Sequence, residues 1–146
     1  MTKQPDRVVF PDMNILPGIF KKYPAVQAVY LFGSVASGKT HADSDLDLAI
    51  VPGDASARAA RLDILADLTR HGFCNVDLVF LDAENILLKF QAVRQNQLIY
   101  SSTEFSPGDY FSITVRQYFD FLPYLEIQRE SDKRRILHDG TDRSYP

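Results

Sequence analysis

Only five residues separate Lys39 from the run Asp45-Leu46-Asp47-Leu48-Ala49-Ile50-Val51. Its alternation of polar and aliphatic side chains marks a strand with one face in a core. Upstream, residues 26–32 (VQAVYLF) are β-branched and aromatic, and also predict a strand. Between the two lies GSVASGKT, residues 33–40, which matches the P-loop pattern GxxxxGK[ST] letter for letter. The later run LVFLD, residues 78–82, even resembles the acidic strand of the P-loop NTPases. Geometry opposes that reading. A P-loop opens into a helix whose N-terminus holds the phosphates, and the crossover to a parallel strand takes a dozen or more residues. Residues 40–44 (THADS) cannot supply that helix.

The rest of the chain reads as helices and strands in alternation. Leu16 to Lys22 predicts a short helix with Pro17 at its start, where a missing N–H costs little. Residues 55–71 predict a helix with Ala59, Leu62, Leu65, Ala66 and Thr69 on its apolar side, closed by Gly72. Residues 75–81 (NVDLVFL) predict a third strand. Asp82 is the expected cap of a helix bearing Ile86, Leu87, Phe90 and Val93 on one side. Residues 97–100 predict a short fourth strand. After Pro107-Gly108, residues 109–137 predict a long helix, kinked or interrupted at Pro123. Its stripe is Phe111, Val115, Tyr118, Leu122 and Leu125, widened by Phe119, Phe121 and Tyr124. The expected class is α/β (α+β), a small mixed β-sheet with flanking helices and a C-terminal helix. Residues 1–13 read as a flexible lead-in, 14–104 as the core, 105–137 as the aromatic helix and 138–146 as a tail.

The strand at 45–51 carries the chemistry. Asp45 and Asp47 point to one face, and Leu46, Leu48 and Ile50 to the other. Two neighbouring carboxylates repel unless a cation lies between them. Mg²⁺ suits the place, because it takes carboxylate oxygens together with substrate phosphates. Asp77 alternates with Val79 and Leu81 on the third strand. It reaches the same ions if that strand lies beside the second. Gly33 permits a phosphate to approach the backbone closely. Ser34 offers a hydroxyl, and the turn from Ser34 to Ser37 offers N–H groups.

The sequence LFGSVASGKTHADSDLDLAIV followed by NVDLVFLD resembles the nucleotidyltransferase fold of the DNA polymerase β superfamily, by Gly-Ser, ten residues, Asp-x-Asp and the later VDLV strand. The short length resembles its minimal nucleotidyltransferases, the MNT proteins. The resemblance implies that Asp45, Asp47 and Asp77 bind two Mg²⁺ ions and that Gly33 and Ser34 hold the triphosphate of ATP. Lys39 joins the nucleotide-binding candidates as a phosphate contact, and Ser44 as a hydroxyl bracing the loop before Asp45. Relatives often carry arginine near the positions of Val35 or Ser37; this chain does not. Stand-alone MNT proteins are commonly paired with HEPN-domain toxins, which are RNases. The implied activity is therefore that of an antitoxin: transfer of AMP from ATP to a tyrosine hydroxyl of a HEPN toxin, with the aromatic helix contributing to toxin binding. The alternatives are a small-molecule (antibiotic-type) nucleotidyltransferase and an antitoxin acting by binding alone.

Composition narrows the setting. Sixteen basic against nineteen acidic side chains leave a net charge of −3. Nucleic-acid binders concentrate Lys and Arg on one face, so direct nucleic-acid binding is not expected. The longest uncharged stretch is 16 residues and holds Pro24 and Gly33, short of a spanning helix. No signal-peptide pattern opens the sequence. The expected location is cytoplasmic. His41, His71 and His138 share no metal-ligand spacing. The one cysteine, Cys74, is expected to be buried or half-buried.

Overall fold

The computed structural model describes residues 12–33, 46–82 and 84–142, with side chains as far as Arg134. A 3₁₀ turn, Met13–Ile15, leads into α1 (Leu16–Phe20) and β1 (Val26–Phe32). There follow β2 (Leu46–Pro52), α2 (Ala55–Ala59), α3 (Arg61–Arg70), β3 (Val76–Phe80), α4 (Ile86–Gln95), β4 (Leu98–Ser101) and α5 (Pro107–Asp142). The four strands form one mixed sheet in the order β3-β2-β1-β4. β1 runs antiparallel to both β2 and β4, while β2 and β3 are parallel.

Side-chain alternation sends the sheet's apolar residues to two faces. On one, Leu46, Leu48 and Ile50 of β2 meet Leu78 and Phe80 of β3 and Val29 and Leu31 of β1. Leu16, Ile19 and Phe20 of α1 and Ile64 and Leu68 of α3 close over them. On the other, Ala28, Tyr30, Ala49 and Val51 pack under Ala92 and Val93 of α4. An irregularity between Val26 and Ala28 shifts the register of β1. A bulge of this kind lets Val26 and Val29, three apart, join one core.

α5 lies along α4. The rings of Phe90 and Tyr118 stack with centroids 3.7 Å apart. Lys89, almost fully buried, donates from Nζ to Gln117 Oε1 at 3.2 Å and lies 5.4 Å from the centre of the Tyr110 ring. Burial holds the Lys89 ammonium below its ordinary pKa.

Several local expectations are corrected. The predicted helix over 55–71 is two helices that break at Ala60, whose ψ is near zero. The break resets the helical phase. The inward residues are Ala57, Ile64 and Leu68, whereas Leu62 is 77 % exposed and Ala59, Ala66 and Thr69 also face out. Asp67 turns inward because Tyr23 donates its hydroxyl to Oδ2 and Arg70 pairs with Oδ1 at 2.6 Å. The cap of α4 is Asn85, not Asp82; Asn85 accepts from the Leu88 N–H at 3.4 Å, while Asp82 pairs with Arg58. Leu87 and Phe111 lie on exposed faces rather than on the packed stripes. α5 passes through Pro123 without interruption and reaches Asp142, so the helix takes in part of the predicted tail. Cys74 is exposed, in the turn between α3 and β3.

Candidate active site

β1 ends at Phe32, and Phe32 pairs with Asp47 across the antiparallel ladder. Asp47 is the second residue of β2 and Asp77 the second of β3. The parallel register places Asp47 directly beside Asp77. Adjacent strands lie about 4.8 Å apart, so both carboxylates reach one small volume. Leu46 and Leu48 on one strand, and Leu78 on the other, are locked in the core. A one-residue slip of either strand would bury an aspartate, so the core fixes which face the acids take. Asp47 is partly buried and Asp77 exposed.

Gly33 follows β1 with φ +80°. That is left-handed backbone, which glycine adopts at no steric cost. A Cβ on Gly33 would lie 3.3 Å from Asp47 Cγ and 3.4 Å from Asp47 Cβ, and would collide with Oδ2. The missing side chain is therefore the space that the Asp47 carboxylate occupies.

Beside this corner opens a cleft of about 490 Å³. Phe32 and Gly33 form one wall, and Gln91, Arg94 and Gln95 of α4 the other. Gln95 keeps Oε1 buried without a hydrogen-bond partner among the described residues. Nothing in the sequence motif points to α4. The available signal is three polar residues at spacings of three and four, 91, 94 and 95, beside the buried pair Ala92-Val93.

Of the residues singled out from sequence, the structure brings together Gly33, Asp47 and Asp77. Ser34, Lys39, Ser44 and Asp45 lie outside the described residues, as does His41. Asp47 and Asp77 are hard oxygen donors on neighbouring strands, and Asp77 forms no ion pair with another described residue. This donor chemistry fits Mg²⁺. Among the described residues no helix is long and apolar enough to cross a membrane.

A family model described as "Polymerase beta, Nucleotidyltransferase" matches residues 14–105. Among curated proteins, the chain is similar to the protein adenylyltransferase MntA of Shewanella oneidensis, with 32 % identity over 81 residues. That match covers 56 % of this chain and 58 % of the relative, so it spans less than two thirds of the relative's length. Two solved structures share the fold. One is a toxin–antitoxin crystallised with AMP-PNP, at TM-score 0.67 and 24 % identity, covering 86 % of this chain and 98 % of that one. The other is a tri-AMPylated Shewanella oneidensis HEPN toxin in complex with an MNT antitoxin, at TM-score 0.61 and 22 % identity, covering 86 % and 95 %.

Proposed function

The chain belongs to the polymerase beta nucleotidyltransferase family, and from that premise we propose that it is an antitoxin that transfers AMP from ATP to a tyrosine hydroxyl of a HEPN-domain toxin. The observation that carries the reading is the in-register pair Asp47 and Asp77, held beside a glycine that leaves room for one of the two carboxylates. The names of the similar proteins give the transfer its donor and acceptor: one is a protein adenylyltransferase, and one complex holds an AMPylated HEPN toxin.

In this reading Asp45, Asp47 and Asp77 hold two Mg²⁺ ions. When bound, such ions neutralise phosphate charge, lower the pKa of the acceptor hydroxyl and steady the attacking and leaving oxygens. The chain's own groups do the rest. Gly33 and Ser34 receive the triphosphate against the backbone, with Lys39 as a further phosphate contact and Ser44 bracing the approach to Asp45. The acceptor oxygen forms a bond to the α-phosphorus, and the bond from that phosphorus to the bridging oxygen of the β-phosphate breaks. Pyrophosphate leaves with the bond's electron pair. Asp77 takes the hydroxyl proton and, being exposed, returns it to solvent.

The outer face of α5 favours a protein acceptor over a small one. Phe119 is 60 % exposed, Ile127 66 % and Tyr124 70 %, a run of large apolar side chains on one helix. Such surface marks an interaction site. We assign it to the toxin. We infer from a toxin partner of that kind that the pair acts in the cytoplasm.

The test uses two labels. The protein is incubated with Mg²⁺ and a HEPN toxin from its own cell, once with α-labelled and once with γ-labelled ATP, beside the Asp45→Ala/Asp47→Ala variant. Label on the toxin from the α-phosphate only, lost in the variant, is the expected result. A soluble hydroxyl compound labelled in place of the toxin would favour the small-molecule transferase. Neutralisation of the toxin by the double variant would show that binding alone suffices.

A further inference from the structure

The triphosphate of ATP brings several negative charges to a corner already lined by Asp47 and Asp77, and a cationic side chain there would add to the charge supplied by the two Mg²⁺ ions and Lys39 of the proposed function. Residues 33–44 hold one lysine, Lys39, and no arginine. From the cleft beside Gly33, we infer that Arg94 of α4 is a polyphosphate-binding residue of this site, with Gln91 supporting it. The inference rests on the nucleotidyltransferase reading and adds a residue to it.

Position is the first argument. Arg94 shares one cleft of about 490 Å³ with Phe32 and Gly33. Phe32 pairs with Asp47, and Gly33 abuts its carboxylate. Arg94 is the sole cation among the described residues lining that cleft. It is also uncommitted among the described residues. The described ion pairs engage Arg58, Arg70, Lys22 and Arg134, and none involves Arg94.

Rigidity is the second. Ala92 and Val93, the two residues before Arg94, are buried against the sheet with 0 % and 1 % exposure. α4 then stops at Asn96 in left-handed geometry, whose N–H donates to the Ala92 carbonyl at 3.2 Å. The backbone of Arg94 is thereby fixed on both sides, while its side chain faces open space. Gln91 stands one turn back on the same helix face and lines the same cleft. A guanidinium presents its N–H groups as a planar fork that matches two phosphate oxygens, and the Gln91 amide adds donors beside it. Arginine in the last turn of a helix also complements the helix dipole. That role alone would affect folding and leave phosphate recognition untouched, which gives the test its discrimination.

The experiment measures binding of α,β-methylene-ATP and of AMP, with Mg²⁺, by calorimetry on the wild-type protein, Arg94→Gln and Arg94→Lys. The expected result is a loss of about tenfold or more in affinity for the triphosphate analogue in Arg94→Gln, the scale of one charge-assisted contact. AMP binding stays as in the wild type, and Arg94→Lys falls between. Triphosphate affinity unchanged in Arg94→Gln, or equal losses for the analogue and AMP, would overturn the assignment. Phenylglyoxal modification of Arg94 in the wild-type protein needs no variant. The analogue should protect Arg94 and AMP should not; equal reactivity with and without the analogue also overturns it. If the wild-type protein labels its toxin while Arg94→Gln does so with an unchanged KM for ATP, this inference alone fails. If the wild-type protein binds no triphosphate, the nucleotidyltransferase reading fails with it.

Discussion

Gly33→Ala separates folding from chemistry, because a methyl group there meets two obstacles of different kinds. The first is backbone. At φ +80° an L-residue is strained by roughly 1–2 kcal/mol. For a domain of this size that lowers Tm by about 2–8 °C, at ~2–4 °C per kcal/mol. The second is the Asp47 carboxylate, whose Cγ would lie 3.3 Å from the new methyl and whose Oδ2 would lie closer still. A side-chain end can swing aside, so the fold survives this clash. Asp47 is then displaced from its place beside Asp77. A displacement on the order of 1 Å at a reacting centre costs about 100-fold in rate. The variant is therefore expected to melt a few degrees early with its secondary structure intact, and to lose about two orders of magnitude in AMP transfer. Circular dichroism melting and an α-labelled transfer assay measure the two halves separately. Full transfer activity in a folded Gly33→Ala protein would refute the claim that this glycine makes room for a working carboxylate.

Other consequences follow from the same geometry. Asp77→Asn removes the proposed proton acceptor from an exposed position, so transfer should drop at least 100-fold while the melting temperature moves little; a change in Tm with unchanged transfer would reverse the assignment. Tyr23 and Asp67 make stability depend on pH. Burial and the neighbouring carboxylate push the Tyr23 hydroxyl up to about 12, and the hydroxyl in turn holds Asp67 below its ordinary value. A lowered carboxylate stabilises above its unfolded pKa of about 3.9 and loses that contribution as pH falls through the folded value. A raised phenol stabilises below about 10 and loses its contribution as pH rises through the folded value. The urea-midpoint deficit of Tyr23→Phe should thus be largest near neutrality and shrink at both extremes; a deficit constant from pH 3 to 11 would count against the pairing. On α5, Tyr124→Glu with Ile127→Glu should leave stability within ~0.5 kcal/mol, since both side chains are mostly exposed, and should abolish co-purification with the proposed toxin partner. Retained co-purification would move the interface elsewhere.

What was legible in the sequence follows from which interactions are local. The period of two in residues 46–50 is enforced by the core on one side of the sheet, so the face of Asp47 could be read directly. The glycine was legible as a place of close approach, but the partner that approaches is a carboxylate of the next strand, a tertiary fact. The phase of α3 was not legible. The helical period runs unbroken in the letters from Ala59 to Thr69, yet the chain breaks at Ala60, and Asp67 is drawn inward by Tyr23, forty-four residues away. Pro123 marked a kink or an interruption, and the interruption is absent. α5 continues through it, which an isolated helix would resist. Arg94 was not legible because only tertiary packing brings α4 to the cleft beside Phe32 and Gly33.

The contest between the two phosphate motifs is settled by strand direction rather than by letters. Both readings share Gly33 and place a phosphate near it. They differ in what must follow. A P-loop leads through a helix into a parallel crossover, which keeps the next strand's acid away from the glycine except through a bound ion. Here β1 and β2 are antiparallel neighbours, with Phe32 opposite Asp47. An antiparallel return brings the start of β2 back to the end of β1. The acid therefore lies beside the glycine by the register of that pairing. The parallel step comes one strand later, between β2 and β3, and aligns Asp77 with Asp47 in the same row. One antiparallel and one parallel pairing together gather Gly33, Asp47 and Asp77 at one end of a four-stranded sheet. Reversing either pairing would leave the letters intact and scatter the carboxylates.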